Sequence, residues 1–371
     1  MHIVCAPDSY KESLPADAVA RAMARGAAEA RPDATIDHCP VSDGGEGLLD
    51  ILTTALNGAI HHRQVTGPLG PEAAPVEARF GVVVERRLGI VELAEAAGLA
   101  LVPPDQRDPT RTTTFGVGQL IAAALDEGCR DIIVGIGGSA TVDGGCGMAQ
   151  ALGAAFIDHE GRRISRPLTG AMLPTIASCR RAGLSARLRV ACDVSNPLIG
   201  PNGAAAVYGP QKGATPDMVC RLDAGLAHLA ELTTADSSMP GAGAAGGAGF
   251  GLMALCGATL ESGIDLVLDL LEFESRCGRA DLVLTGEGRL DAQTMRGKAC
   301  FGVARVAHRL GKPCIAIVGQ AAEDAAACCD ASTGGFLTQF ISLADRFGFE
   351  RAMSDPAACI ETIAAEIVRV R

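Results

Sequence analysis

The sequence predicts an α/β protein of two domains, one built around a parallel sheet and the other around a mixed sheet. The length of 371 residues fits two domains better than one. Short apolar runs alternate with helical segments at both ends of the chain, which is typical of parallel βαβ units. The middle of the chain instead has Gly- and Pro-rich turns between β-like runs, which indicate hairpins.

The N-terminal residues predict strand, helix, strand and helix in turn. His2–Ala6 is an apolar run that stops at a proline, and a second strand is predicted over Thr35–Cys39. Between them Ser13 is an N-cap, and the Ala-rich segment that follows it continues to about Ala30. A second helix is predicted over Glu46–Leu56.

The same alternation returns near the C-terminus. Strands are predicted over Asp281–Thr285 and Pro313–Val318, with a helix over Ala299–Leu310 between them. An Ala-rich helix is expected after the second of these strands. The last stretch, Pro356–Arg371, has its apolar residues on one stripe at helical spacing.

The middle of the chain predicts a separate, inserted domain. The turn at Gly67–Pro71 precedes β-like runs at Phe80–Val84 and Leu88–Leu93, whereas a helix over Thr113–Asp126 leads to a strand over Asp131–Ile136. The predicted division is therefore a discontinuous α/β domain over 1–60 and 262–371, and an inserted α/β domain with a mixed sheet over 61–261.

Composition excludes several classes of partner. Lys and Arg total 32 and Asp and Glu total 43, so the net charge of −11 argues against nucleic acid or a membrane surface. The 14 cysteines are scattered, without zinc-site spacing. The N-terminus does not resemble a signal peptide, and no apolar run is long enough to span a membrane. A cytoplasmic protein is expected, and a homodimer stays open.

Five predicted strand ends carry a carboxylate beside glycine, hydroxyl or amide groups. Ligands of open parallel sheets bind at the carboxyl ends of strands, so these loops are the candidate site. Each acid could also be only a helix cap. Glycine-rich loops bind phosphates through free N–H groups, and carboxylates beside them imply Mg²⁺, so the combination indicates phosphoryl transfer. The loops are 8–13, 42–47, 137–145, 193–196 and 286–291.

The stretch Gly241–Gly249 matches G-x-G-x-x-G, the dinucleotide-binding pattern. The residues before it, 234–240, cannot form a buried strand, so a phosphate-covering loop or a tight helix contact fits better. Two other functions stay open, an NAD(P)-dependent dehydrogenase of a small hydroxy acid and a non-catalytic regulator that binds an organic acid.

At these loops the chain resembles the type-1 glycerate kinase family. The resemblance implies a Rossmann-like domain beside a second α/β domain, and ATP-dependent phosphorylation of D-glycerate, usually to 2-phosphoglycerate. Residues that depart from the usual family pattern are Tyr10, Ser42, Val142 and Cys146. The matching stretches are Ala6–Leu14, Ser42–Gly47, Thr113–Gly118, Gly135–Thr141, Ala191–Pro197, Tyr208–Gly213, Pro240–Gly247 and Thr285–Thr294.

For that reaction, each candidate loop is given a role. Asp193 follows an apolar run, Leu188–Cys192, and is predicted to orient or deprotonate the glycerate hydroxyl. The other predicted catalytic residues are Lys11, Asp43 and Asn196. Mg²⁺ is assigned to Glu287 and Asp291, with Asp143 in reserve. The predicted ATP-binding residues are Gly137, Gly138, Ser139, Lys212, Gly243, Gly246, Gly247 and Lys298. Segment 241–251 is expected to be a mobile lid over a cleft between the domains.

Overall fold

The computed structural model describes residues 1–11 and 13–371, with residues 293 and 296 described by their backbone alone. The described residues form an α/β protein. Its strands are β1 (His2–Cys5), β2 (Thr35–His38), β3 (Ala59–Val65), β4 (Val76–Val83), β5 (Leu88–Glu92), β6 (Asp131–Gly135), β7 (Ala155–Asp158), β8 (Ile176–Arg180), β9 (Arg187–Ala191), β10 (Thr259–Glu261), β11 (Leu282–Thr285), β12 (Arg289–Leu290), β13 (Cys314–Val318), β14 (Gln320–Ala321) and β15 (Gln339–Ser342).

Helices alternate with most of these strands. They are α1 (Ala16–Ala30), α2 (Leu48–Ala55), α3 (Ala94–Ala97), α4 (Phe115–Asp126), α5 (Cys146–Ala151), α6 (Ala204–Tyr208), α7 (Pro216–Thr233), α8 (Ala244–Cys256), α9 (Gly263–Leu270), α10 (Phe273–Arg279), α11 (Ala299–Arg309), α12 (Leu343–Phe347), α13 (Phe349–Ser354) and α14 (Pro356–Arg369). No helix in the described part of the chain is long and apolar enough to cross a membrane.

The chain divides into two compact units. Unit 1 comprises Met1–Asp43 and Ser262–Arg371, and unit 2 comprises Gly44–Glu261. The first division therefore falls at Asp43 rather than at the predicted residue 60. The difference has a physical cause, because α2 packs against β4 and β5 of unit 2.

Unit 1 contains a five-stranded parallel sheet in the order β15-β13-β11-β1-β2. The central strands are buried on both faces, as parallel sheets require. Ile3 and Cys5 pack in one cluster with residues of α1 and α14, while Val4, between them, points to the opposite face and is also buried. Helices α1 and α14 come so close that a Cβ added at Gly26 would overlap the carbonyl oxygen of Glu361.

The order of the unit 1 strands reverses at one point. From β1 the chain moves to β2 on one side, and from β11 it moves to β13 and β15 on the other. The carboxyl ends of β1 and β11 therefore lie next to each other with their loops leading away on opposite sides, which is where ligands bind in open α/β sheets.

Unit 2 contains a six-stranded mixed sheet in the order β10-β9-β6-β5-β4-β3. Strands β5, β6, β9 and β10 are parallel, whereas β3 and β4 form an antiparallel hairpin that pairs with β5. The prediction of a parallel sheet and a separate mixed sheet is confirmed. The prediction of an Ala-rich helix after β13 is wrong. Strand β14 follows β13, and two short 3-10 helices come next, at Ala325–Cys329 and Ala331–Thr333.

Candidate active site

Three carboxylates crowd the edge of the unit 1 sheet where its strand order reverses. Asp8 follows β1 and Glu287 follows β11, and the two loops are joined by the Asp8 N–H, which donates to the Gly286 carbonyl at 2.9 Å. Burial, together with the negative charges of Asp43 and Glu287, raises the pKa of Asp8 to about 8, although Lys11 opposes the shift. A cluster of this kind favours a bound cation.

Glu287 is the most enclosed member of this cluster, with 6% of its surface exposed. The Thr294 hydroxyl donates to its Oε1 at 2.6 Å. Burial raises the pKa of Glu287, and the nearby Lys298 ammonium opposes this. Lys298 Nζ lies 3.6 Å from Glu287 Oε2 and 3.6 Å from Asp291 Oδ1, so a lysine bridges the two predicted metal ligands.

Two buried hydroxyl groups anchor the unit 1 loops through hydrogen bonds. Tyr10 donates to the Ile317 carbonyl at 2.6 Å, and Thr285 donates to the Ala6 carbonyl at 2.8 Å. The Tyr10 hydroxyl therefore has a hydrogen-bond partner in the core. Beside it, a Cβ at Gly286 would overlap the Ile317 carbonyl oxygen, so only glycine fits there.

In unit 2, the loop after β6 also presents its backbone at a strand end. Gly138 has a left-handed φ of +69° and is exposed, while Ser139 beside it is only 7% exposed. Gly137 packs against Gly45, whose Cα would lie 3.0 Å from a Cβ added at 137. The predicted phosphate-binding residues Gly137, Gly138 and Ser139 thus share one strand end.

The loop is held by a buried lysine. Lys212 is 2% exposed, and its Nζ donates to Ser139 Oγ and to the Thr141 carbonyl, each at 2.7 Å. Burial lowers the pKa of Lys212 to about 7, and the charge of Asp143 opposes the shift. The structure therefore brings together three of the predicted site residues, Ser139, Lys212 and Asp143.

The Asp143 side chain is enclosed by the protein. It is fully buried, and its two carboxylate oxygens accept hydrogen bonds from the backbone N–H groups of Thr114, Gly145 and Gly147 and from the Thr114 hydroxyl. These bonds anchor the loops before α4 and α5 and leave no exposed oxygen. The geometry does not favour Asp143 as a reserve metal ligand.

Asp193 and Asn196 follow β9 in unit 2, in a loop that is partly exposed. The Asn196 side chain is engaged within the protein: its Oδ1 accepts from Tyr208 at 2.7 Å, and its Nδ2 donates to the Asn202 carbonyl at 2.9 Å. Asn196 therefore shapes the loop that carries Asp193.

Segment 241–251, which the sequence predicts to be a mobile lid, has Gly243, Gly246 and Gly247 buried. A Cβ at Gly243 would overlap the Pro197 carbonyl oxygen, and one at Gly246 would overlap the Thr141 carbonyl oxygen. Gly246 and Gly247 have φ of +70° and +86°, which only glycine adopts without strain. The segment serves close packing beneath the loops.

One buried acid was missed by the sequence reasoning. Glu92, the last residue of β5, is 6% exposed and accepts the Leu49 N–H at the start of α2 at 2.7 Å. Burial, assisted by the charges of Glu95 and Asp50, raises its pKa to about 7. The available signal was a glutamate at the end of an otherwise apolar run, the same rule that selected the other strand ends.

With both sites described, comparison with known proteins decides the family. The sequence profile of the glycerate kinase family matches residues 3–371. The chain belongs to this family. A glycerate kinase from Bacillus subtilis (strain 168) and a glycerate 2-kinase from Escherichia coli (strain K12) are each 48% identical to it over 334 residues, which cover 87% of this chain and 86% of each relative.

The fold is also similar to that of a solved structure. A crystal structure from Salmonella typhimurium LT2, assigned to glycerate kinase 2, has a TM-score of 0.85 and 44% identity, and the match covers 100% of this chain and 98% of that chain. The resemblance seen in the strand-end loops is confirmed, and the chain is an enzyme of the phosphotransferase class.

Asp8→Asn tests the carboxylate cluster. Above pH 8, where Asp8 is ionised, removing this charge should raise the melting temperature by about 2–4 °C in EDTA, because like-charge repulsion falls by an amount on the order of 1 kcal/mol. Mg²⁺ should then stabilise the variant less than it stabilises the wild type. Asp33→Asn, at an exposed turn of unit 1, is the control. A lower melting temperature for Asp8→Asn in EDTA would contradict the interpretation.

Glu92→Gln tests the buried acid of unit 2. Because the folded-state pKa of about 7 lies above the ordinary value of 4.5, the wild type should lose stability as the pH rises from about 4.5 to 7. The glutamine of the variant cannot ionise, so the variant should be more stable above pH 7 by up to about 3 kcal/mol and equal to the wild type near pH 4.5.

Urea unfolding of Glu92→Gln at pH 5 and pH 8 measures this difference. Glu85→Gln, at an exposed position of the same unit, should show no comparable pH-dependent gain. An equal effect of Glu92→Gln at both pH values would show that Glu92 is not the titrating group.

Proposed function

We propose that this enzyme transfers the γ-phosphoryl group of ATP to the 2-hydroxyl of D-glycerate and forms 2-phosphoglycerate. Family membership supports glycerate as the substrate, and the Escherichia coli relative is named glycerate 2-kinase. The observation that carries the proposal is the carboxylate cluster at the strand-order reversal of unit 1, since phosphoryl transfer depends on positioned charge rather than on covalent chemistry.

Mg²⁺ is the proposed metal. Among residues 1–11 and 13–371, no three His, Cys, Asp or Glu side chains could hold a metal ion by themselves. Mg²⁺ usually takes one or two carboxylates from the protein and completes its shell with water and phosphate oxygens. Asp8 and Glu287 fit as those carboxylates, because they follow adjacent strands and their loops are joined by the Asp8–Gly286 backbone hydrogen bond. When bound, Mg²⁺ would neutralise phosphate charge.

Asp291 fits the metal less well than Glu287 does. Its carboxylate lies beside both Lys298 and Arg289, at 3.6 Å and 3.9 Å. Its negative charge is therefore already partly compensated. Lys298, at the N-terminal end of α11, suits phosphate oxygens, as does the exposed Lys11 beside Asp8.

Asp193 remains the proposed group that orients or deprotonates the glycerate hydroxyl. It follows a buried strand end, and its loop is braced by the Asn196–Tyr208 hydrogen bond, which favours a defined position for the carboxylate. Asp43 is the alternative base, because it belongs to the carboxylate cluster of unit 1. Gly137, Gly138 and Ser139 are proposed to bind oxyanions.

The two other functions considered from the sequence gain no support. A dinucleotide fingerprint needs a strand before its glycines, and turns precede Gly241 instead. A cytoplasmic location is proposed because all 14 cysteines are free, in agreement with a reducing compartment. A homodimer remains a proposal, and analytical ultracentrifugation can test the oligomeric state.

Product analysis tests the proposed reaction. The purified enzyme is incubated with Mg-ATP and D-glycerate, and the product is compared with authentic 2- and 3-phosphoglycerate by ³¹P NMR. We expect 2-phosphoglycerate only. Formation of 3-phosphoglycerate would overturn the regiochemistry, and no phosphoglycerate at all would overturn the function.

Asp193→Asn tests the proposed base. The variant keeps the size of the side chain but loses its charge, so kcat should fall by about 10²- to 10⁴-fold while the melting temperature stays close to that of the wild type. Asp217→Asn, on the exposed first turn of α7, is the matched control in unit 2 and should retain normal kcat. If Asp193→Asn keeps most of its kcat, the same substitution at Asp43 is the next test.

A further inference from the structure

The loop after β6 in unit 2 has three consecutive backbone donors that the protein does not use. Within the part of the chain that the structure describes, the N–H groups of Gly137, Gly138 and Ser139 donate no hydrogen bond. The neighbouring groups on the same loop are paired: the Gly138 carbonyl accepts from Leu99, and the Ala140 N–H donates to Ala97. The loop is thus held in place while its own N–H groups stay available.

The conformation of the loop suits an anion. Gly138 is left-handed, with φ of +69°, and a left-handed residue within a run of free N–H groups makes the concave backbone arrangement that binds phosphates and carboxylates. Gly138 is also exposed, so a ligand can reach it. A side chain at position 137 would meet the Gly45 backbone, so the close packing here requires a glycine.

A buried lysine contacts the loop from the protein interior. Lys212 donates to Ser139 Oγ and to the Thr141 carbonyl, and both acceptors are neutral. Asp143 is the acid that attracts it, but the Asp143 oxygens are engaged by Thr114, Gly145 and Gly147. Lys212 therefore forms no salt bridge within the described part of the chain, and its Nζ lies on the Ser139 side of the loop.

Lys212 also determines how the Ser139 hydroxyl is used. When Lys212 is protonated, its ammonium group can only donate, so Ser139 Oγ accepts from it. The hydroxyl hydrogen of Ser139 is then free to donate elsewhere, and no group in the described part of the chain receives it. Ser139 keeps 7% of its surface exposed, which is enough for a contact with a ligand oxygen.

We propose that Gly137, Gly138 and Ser139 form an oxyanion subsite in which Lys212 is a positioning residue that acts through Ser139. Its ligand is an anionic oxygen group, either the carboxylate of the acid substrate or a phosphate of the nucleotide. The inference rests on the proposed function for the identity of these two ligands. A purely structural lysine would not need this arrangement, since an apolar residue fills a buried position at lower desolvation cost.

Equilibrium binding tests the subsite. D-glycerate and a non-hydrolysable ATP analogue with Mg²⁺ are titrated separately by calorimetry into the wild type, Ser139→Ala, Ser139→Thr and Lys212→Met. Ser139→Ala should weaken one of the two ligands at least tenfold and leave the other within about twofold, and Lys212→Met should weaken the same ligand. Ser139→Thr keeps the hydroxyl and should recover most of the affinity. Ser185→Ala, at an exposed position of unit 2, is the control.

The affected ligand identifies the source of the oxyanion. Loss of D-glycerate affinity assigns the subsite to the carboxylate, and loss of nucleotide affinity assigns it to a phosphate. Unchanged affinity for both ligands in Ser139→Ala would overturn the proposal, as would an equal loss of both. Because binding is measured without turnover, the result does not depend on which phosphoglycerate the wild type forms, so the subsite and the reaction fail independently.

Discussion

The reversal of strand order between β1 and β11 is the constraint on which the proposed chemistry depends. It delivers the loops after both strands to one edge of the unit 1 sheet, and the Asp8–Gly286 backbone hydrogen bond holds them together. Asp8 and Glu287 are therefore crowded by the main chain itself. Burial disfavours the charged forms of both carboxyls, and the charges of Asp43 and Glu287 add to the shift in the pKa of Asp8. A cation bound at these loops would offset this negative charge, which is why the proposed metal is assigned to this edge of the sheet.

Unit 2, considered by itself, buries a lysine beside a strand end. Lys212 is buried with neutral hydrogen-bond partners, which is unfavourable for a lysine unless something anionic approaches. The charge of Asp143 partly offsets this cost for Lys212. Asp143 does not pair with the lysine directly, because its oxygens accept hydrogen bonds from the starts of α4 and α5. In both units, buried ionisable groups lie beside glycines that leave backbone groups accessible. Proteins keep such unfavourable groups where they serve binding or catalysis.

The sequence predicted the fold well and the roles of individual residues less well. Strand ends could be located because apolar runs are short and bounded by glycine or proline, and the acids that follow them could be named from the sequence. Burial could not. Asp143 looks like an exposed loop acid in the sequence, whereas the structure encloses it completely. Glu92 was passed over because it belongs to the strand itself, although helix α2 later covers it. Both outcomes depend on tertiary packing, which local patterns do not record.

The glycine-rich stretch at 241–249 shows the same limit, and it also links the packing to the site. Glycine content indicates either flexibility or close approach, and the sequence does not distinguish the two. Here Gly246 packs against the Thr141 carbonyl, the oxygen that also accepts from Lys212. A larger residue at 246 would displace Thr141 and, through it, the lysine that holds Ser139. Gly246 thus contributes to the proposed oxyanion subsite without contacting a ligand, because it fixes the distance at which the loop lies from the core.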